Sequence, residues 1–167
     1  MGEFYTPETY TVRGSVGYLI RRARNLMTVR VETEFNKHEV TFVQWIILMH
    51  LRDGLASTSA EIARDMCHDS GALTRVIDQL EQRGLIARRR SQLDRRTIEL
   101  MLTDAGLATV NALVPMVVGL LNDALADFTQ DEAQTFTRLL NKFIDGITAE
   151  TVPDASGANA KELEFQQ

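Results

Sequence analysis

The sequence predicts a mainly α-helical protein with one small β-hairpin: a helix-turn-helix with a basic hairpin behind it, flanked by further helices. Three observations predict this. Thr-x-x-Gln and Thr-x-x-Glu boxes recur, each ahead of apolar residues at helical spacing. Two short helical segments follow each other closely, the second closed by a glycine. The stretch RRRSQLDRRT, residues 88–97, then places five arginines and one aspartate between two strand-like runs.

Residues 15–35, SVGYLIRRARNLMTVRVETEF, set Val16, Leu19, Ile20, Ala23, Leu26, Met27 and Val31 near helical spacing, with arginines between them. Thr41 and Gln44 form a T-x-x-Q box ahead of VQWIILMHL, where a hydroxyl and an amide satisfy orphan backbone N–H groups. A largely buried helix begins there and ends at Asp53-Gly54. Thr58 and Glu61 repeat the box and open a short helix with Ile62, Ala63 and Met66 on one face. After CHDSG, the segment ALTRVIDQLEQRG carries Leu73, Val76, Ile77 and Leu80 at i, i+3, i+4 and i+7, and Gly84 stands where a left-handed C-terminal cap is wanted. Two short helices joined by a tight turn make a helix-turn-helix. LIARRR and TIELMLT, separated by the polar SQLDRR, predict a hairpin with a charged tip. Thr103 caps the long pattern DAGLATVNALVPMVVGLLNDALADF, in which Pro115 is expected to cause a kink because it lacks an N–H. Thr129 and Glu132, a third box, start the last helix, TQDEAQTFTRLLNKFIDGI. The remainder, VPDASGANAKELEFQQ, is small, polar and turn-rich, which predicts weak order.

A helix-turn-helix followed at once by a two-stranded hairpin is a winged helix-turn-helix, and its chemistry here suits duplex DNA. The chain has a formal net charge of -5, but the charge is polarised. From Arg75 to Arg96 seven arginines face three acids, a net of +4; from Thr129 onward seven acids face three bases, a net of -4. The second short helix would enter the major groove. Its core face leaves Ser70, Gly71, Thr74, Arg75 and Asp78 outward near the N-terminus. Hydroxyls and helix-end amides there can hold phosphate, and the planar fork of Arg75 suits a guanine edge. Arg88, Arg89, Arg90, Arg95 and Arg96 would neutralise phosphates and offer, at the tip, a guanidinium slim enough for a narrow minor groove. Asp94 is expected to orient an arginine through a bidentate pair. The competing reading of the same residues is a helical protein-interaction module whose basic hairpin binds an acidic partner. Charged hairpins are often solvated turns; the order cap, helix, turn, helix, glycine, basic hairpin is what favours DNA.

On SAEIARDM, LTRVIDQLEQRGLIARR, the DRR at Asp94, Arg95 and Arg96, and LMLTDAG at 100–106, the sequence resembles the MarR family of bacterial transcriptional regulators. The likeness runs from about residue 15 to about residue 147. It implies an obligate homodimer in which the first and the last two helices of each subunit interlock, presenting two winged domains to a pseudo-palindromic operator. It also implies a repressor released by a small-molecule effector, aromatic or anionic, held in a cleft between the dimerisation and DNA-binding parts. His38, Trp45 and Met49, on or beside the second helix, are the candidate ligand residues, aromatic and thioether walls with one polar group. That Trp45 and Met49 are simply core is an equal alternative. The dimer has independent support in apolar residues exceeding what a small winged domain can cover: Leu113, Val117, Val118, Leu120, Leu121 and Leu125, then Phe136, Leu139, Leu140, Phe143 and Ile144. Two-fold symmetry would set the reading helices one DNA turn apart, roughly 34 Å.

The implied division is an N-terminal arm at 1–14, a helical dimerisation region at 15–36 and 104–147, the winged helix-turn-helix at 37–103 and a flexible tail at 148–167. No nucleophile elbow, P-loop or dinucleotide glycine pattern occurs, so neither catalysis nor a cofactor is expected. Cys67, the only cysteine, excludes an intrachain disulfide. Cys67-His68-Asp69 lacks metal-ligand spacing with His38 or His50, so no metal is expected and Cys67 is read as packing in the turn. The apolar run ALVPMVVGLL, broken by Pro115 and Gly119, is too short to span a bilayer, and MGEFYTPETYTVRG lacks the pattern of a secretion signal. No membrane partner and a cytoplasmic location, on the nucleoid when DNA-bound, are expected.

Overall fold

The computed structural model describes residues 3–92, 94 and 96–151, the last three by backbone alone. After a 3₁₀ turn at Val12–Gly14 come α1 (Val16–Phe35), α2 (Phe42–Arg52), α3 (Ser59–Asp65), α4 (Ser70–Gln82), β1 (Ile86–Arg90), β2 (Ile98–Leu102), α5 (Asp104–Ala124) and α6 (Gln130–Thr151). The chain divides into two compact units, Met1–Leu121 and Asn122–Gln167. The mainly helical fold with one hairpin is the one expected.

In the first unit the capping boxes form as the sequence spells them. Gln44 N–H donates to Thr41 Oγ1 (3.2 Å) while Thr41 N–H donates to Gln44 Oε1 (3.1 Å). Glu61 N–H donates to Thr58 Oγ1 (3.2 Å), and the Glu61 carboxylate receives the amides of Thr58 (3.0 Å) and Ser57 (2.8 Å). The Ser57 amide is the chief reason that carboxyl sits below its ordinary pKa. Each cap contributes about 1 kcal/mol. Gly54 and Gly84 close α2 and α4 with φ of 66° and 69°, a region that penalises any Cβ.

Ile47 and Leu48 of α2, Ile62 of α3, Leu73, Ile77 and Leu80 of α4, Ile86 of β1 and Val110 of α5 are essentially inaccessible and form one core, joined by Val31 and Phe35 from α1. His50, itself buried, ties α2 to α3. One ring nitrogen lies 2.8 Å from the Ile46 carbonyl and the other 2.6 Å from the Asp65 carboxylate. The strands pair antiparallel, Ile86 opposite Leu102, Arg88 opposite Leu100 and Arg90 opposite Ile98. Leu100 N–H also donates to the Ser57 carbonyl at 2.7 Å, stitching the hairpin to the segment before α3.

One junction links α4, the hairpin and α5. Thr103 donates its N–H to the Leu85 carbonyl (3.2 Å) and points its one hydroxyl proton at the carbonyls of Gly84 (2.7 Å) and Leu85 (3.0 Å), while its hydroxyl oxygen accepts the Gly106 N–H (3.0 Å) and so caps α5. Gly106 lies so close that a Cβ there would stand 2.1 Å from Leu85 O and 2.7 Å from Leu102 Cδ1. This is the physical content of the LT-x-x-G signature.

α5 runs unbroken through Pro115. It is also longer than the apolar run read from the sequence: 21 residues whose best window has a mean hydropathy of 1.6, enough by length and composition alone to cross a bilayer. Gly106, Val110 and Leu113 bind its first half into the domain core instead. The second unit holds α6, capped by the third box (Glu132 N–H to Thr129 Oγ1, 3.3 Å; Thr129 N–H to Glu132 Oε2, 2.8 Å), with Phe128 packed on Phe136. α6 continues to Thr151, into residues assigned to the tail, because the sequence holds no helix breaker before Pro153. The rest of the expected tail lies outside the described residues.

Gly106→Ala is expected to destabilise the protein by about 2–3 kcal/mol, since a backbone carbonyl cannot yield as a side chain can. Urea unfolding followed by circular dichroism measures it, and an unchanged midpoint would refute the junction's importance.

Candidate nucleic-acid interface

Once Leu73, Ile77 and Leu80 have turned inward, α4 leaves Ser70, Gly71, Thr74 and Arg75 exposed near its N-terminus, as expected. Two details limit what they offer. Asp69 is the N-cap and its Oδ1 accepts the Ala72 N–H (2.8 Å), so an acid already occupies one helix-end amide and leaves those of Ser70 and Gly71 at the exposed end. The Thr74 hydroxyl donates to the Ser70 carbonyl (2.8 Å). An Asp directly before the helix is an ordinary capping signal that the sequence analysis passed over.

The hairpin register sorts the arginines, because side chains alternate between the faces of a strand. Arg88 shares the face of Leu100, towards α4, and its guanidinium bridges two acids of that helix: Nη2 lies 2.6 Å from Asp78 Oδ1, and Nη1 pairs with Glu81. The bond to Asp78 is the main reason Arg88 holds its proton even more firmly than a free arginine. Arg89, on the other face, pairs with Glu99 directly across the ladder (3.2 Å). Glu99 sits below the usual carboxylate range, first through a bond from Ser91 and then through Arg89. Arg83, at the end of α4, donates to the Glu39 carbonyl (2.9 Å). Among the described residues, the side chains of Arg75, Arg90 and Arg96 are left without a hydrogen-bonding or charged partner. Arg95 lies outside the described residues.

Asp94 acts differently from the arginine clamp expected of it. Its Oδ1 accepts the backbone N–H of Arg96 (3.0 Å) and its Oδ2 the Thr97 hydroxyl (3.1 Å). A short acid two residues before an amide closes a turn more readily than it reaches a guanidinium. Cys67 is also corrected: it is exposed, with φ of 48°, shaping the turn between α3 and α4 instead of packing inside it.

Of the ligand candidates, Trp45 is buried and Met49 partly buried against the core, while His38 is exposed. Trp45 stacks on Phe42 and tilts against Phe35, with centroids 6.2 and 5.7 Å away. Its Nε1–H is buried without a hydrogen-bond partner, the one such side-chain atom among the described residues. A cleft of about 590 Å³ in the same unit, lined by Arg52, Ser57, Glu61, Leu100, Thr103 and Leu107 among others, includes none of the three.

Residues 40–98 match the model of the MarR family. The chain is 26% identical over 136 residues to the transcriptional repressor NicR of Pseudomonas putida, covering 81% of this chain and 86% of that protein. It is 27% identical over 125 residues to the organic hydroperoxide resistance transcriptional regulator of Bacillus subtilis, covering 73% and 85%. Among solved structures it is similar to Bordetella bronchiseptica BpsR, described for regulation of its DNA binding by 6-hydroxynicotinic acid (TM-score 0.72, 26% identity, 81% of this chain and 97% of that one). It is also similar to a mutant of MarR from Escherichia coli complexed with operator DNA (TM-score 0.67, 26% identity, 77% and 92%).

If Arg88 is committed and Arg90 is not, their removal should differ in stability. Arg88→Ala is expected to cost roughly 0.5–1 kcal/mol, discounted for the partial exposure of all three partners, and Arg90→Ala to leave stability within about 0.5 kcal/mol of the parent. Thermal unfolding of the two variants side by side checks this, and equal losses would contradict the assignment.

Proposed function

We propose, from the match of residues 40–98 to the MarR family model, that the chain is a homodimeric, sequence-specific DNA-binding repressor released from a pseudo-palindromic operator by a small aromatic acid. The observation that carries the reading is the set of uncommitted guanidinium groups, Arg75 on α4 and Arg90 and Arg96 on the wing, in a chain whose net charge is -5. Most of the other arginines in this region are bound to its own acids and carbonyls. Arg75 would read a guanine edge, the exposed end of α4 at Ser70 and Gly71 would hold phosphate, and Arg90 and Arg96, with Arg95, would grip the flanking backbone and minor groove. Residues 37–103 would thus form the reading head.

A second copy accounts for the apolar side chains left bare in one chain: Leu19, Leu26 and Val29 on α1, Val118 and Leu121 on α5, and Phe136, Leu139, Phe143 and Ile144 on α6. The regulator works in the cytoplasm, where its DNA lies. For the effector, the supporting observation is Trp45: a buried indole N–H without an acceptor, set among aromatic rings, suits a flat ligand carrying a carboxylate or phenolic oxygen. Such a ligand must favour the spacing of the winged domains that cannot bind DNA, since only differential affinity shifts the balance.

Binding to duplex DNA as a function of salt tests the core of this reading. The affinity is expected to fall steeply with salt, and Arg90→Ala and Arg96→Ala should each reduce the log–log slope by about 0.9. Arg75→Ala should cost about 1–3 kcal/mol and relax preference at one base pair. Little duplex binding at low salt would instead favour an acidic protein partner. Because the chain has one tryptophan, titration with 6-hydroxynicotinic acid should change Trp45 fluorescence over the same concentrations that release DNA; release with constant emission would place the effector elsewhere.

A further inference from the structure

Asp78 and Glu81 lie on the recognition helix one and two turns beyond Thr74 and Arg75, on a surface that would approach a polyanion. Such acids would be expected to repel it. In the folded protein one guanidinium from the neighbouring strand spans both: Arg88 Nη2 is 2.6 Å from Asp78, and Nη1 pairs with Glu81. The hairpin does not need this bridge in order to dock. Its base is already held by Ile86 and Leu100 in the core and by the Leu100 N–H on the Ser57 carbonyl. The charge of the guanidinium is also already balanced, since two of its five N–H donors are held by carboxylates of the helix.

We propose that Arg88 serves as a charge mask: it neutralises the acids of the recognition helix so that α4 can enter the major groove, and makes no phosphate contact of its own. Arg88 is therefore a positioning residue acting through Asp78 and Glu81, in contrast to Arg90 two residues on, which lies on the same face of the strand but pairs with no acid among the described residues. The inference rests on the DNA-binding reading and refines it, moving one of the wing arginines out of the contact set.

The test uses the full-length protein, random-sequence duplex DNA at low salt, and a folded-state control by circular dichroism. Arg88→Ala is expected to weaken binding about 10- to 100-fold by exposing like charge to the phosphates. Neutralising the acids as well, in Asp78→Asn/Glu81→Gln/Arg88→Ala, should return affinity to the wild-type level or above with an unchanged salt slope. If Arg88 held a phosphate, the triple variant would stay as weak as the single one and its slope would fall by about 0.9; that result overturns the mask while leaving the DNA reading intact. Should Arg88→Ala fail to fold, Asp78→Asn/Glu81→Gln with Arg88 retained decides the matter: affinity at or above wild type supports masking, and a loss overturns it. A wild-type protein that ignores duplex DNA overturns both proposals.

Discussion

The Leu85 carbonyl is the point on which the arrangement of α4, the hairpin and α5 turns. It receives the Thr103 N–H and shares the Thr103 hydroxyl with the Gly84 carbonyl, in a space that only glycine at 106 leaves open. Through this oxygen the end of α4, the start of β1, the end of β2 and the first turn of α5 are fixed to one another. A hairpin of two five-residue strands would be marginal alone. Here its base is clamped to a long helix and its second strand is hydrogen-bonded to the segment preceding α3, so the wing keeps a set position relative to the recognition helix. That position makes a two-point grip on a duplex geometrically meaningful.

On this frame the protein allocates its positive charge selectively. The region from Arg75 to Arg96 holds seven arginines, yet Arg83, Arg88 and Arg89 are spent on the protein's own acids and carbonyls. Such pairing in partly exposed positions adds little stability. Its larger effect is on the surface, where it cancels carboxylates on the faces of α4 and the hairpin and leaves Arg75, Arg90 and Arg96 as the uncommitted arginines among the described residues of that segment. A net count of charge over the segment is therefore a poor guide to what a ligand would meet. The distribution of partners matters more.

The aromatic cluster and the helices around it present a second unfinished surface. Phe35, Phe42 and Trp45 pack together, and the buried Trp45 indole N–H has no acceptor, a state that costs free energy in an isolated chain. The exposed apolar residues of α1, α5 and α6 are open in the same sense. Both features are intelligible if the single chain is half of an assembly whose shape an effector can alter.

Local physics made much of this readable from the sequence. The capping boxes at Thr41, Thr58 and Thr129, the left-handed glycines at 54 and 84, the spacing of Leu73, Ile77 and Leu80 and the alternation of the hairpin depend on residues within one or two turns of each other, so they appear as written. The exposed end of α4 followed from the same periodicity. What only the tertiary structure decided are the pairings made across elements: Arg88 with Asp78 and Glu81, His50 with Asp65, Leu85 with Thr103 and Gly106, and the burial of the Trp45 nitrogen. Sequence periodicity tells which face of a helix or strand a residue occupies, but which oppositely charged or polar group stands opposite that face depends on how the elements are packed together. The charge a partner would meet is for that reason a property of the fold, while the secondary structure that carries it is a property of the sequence.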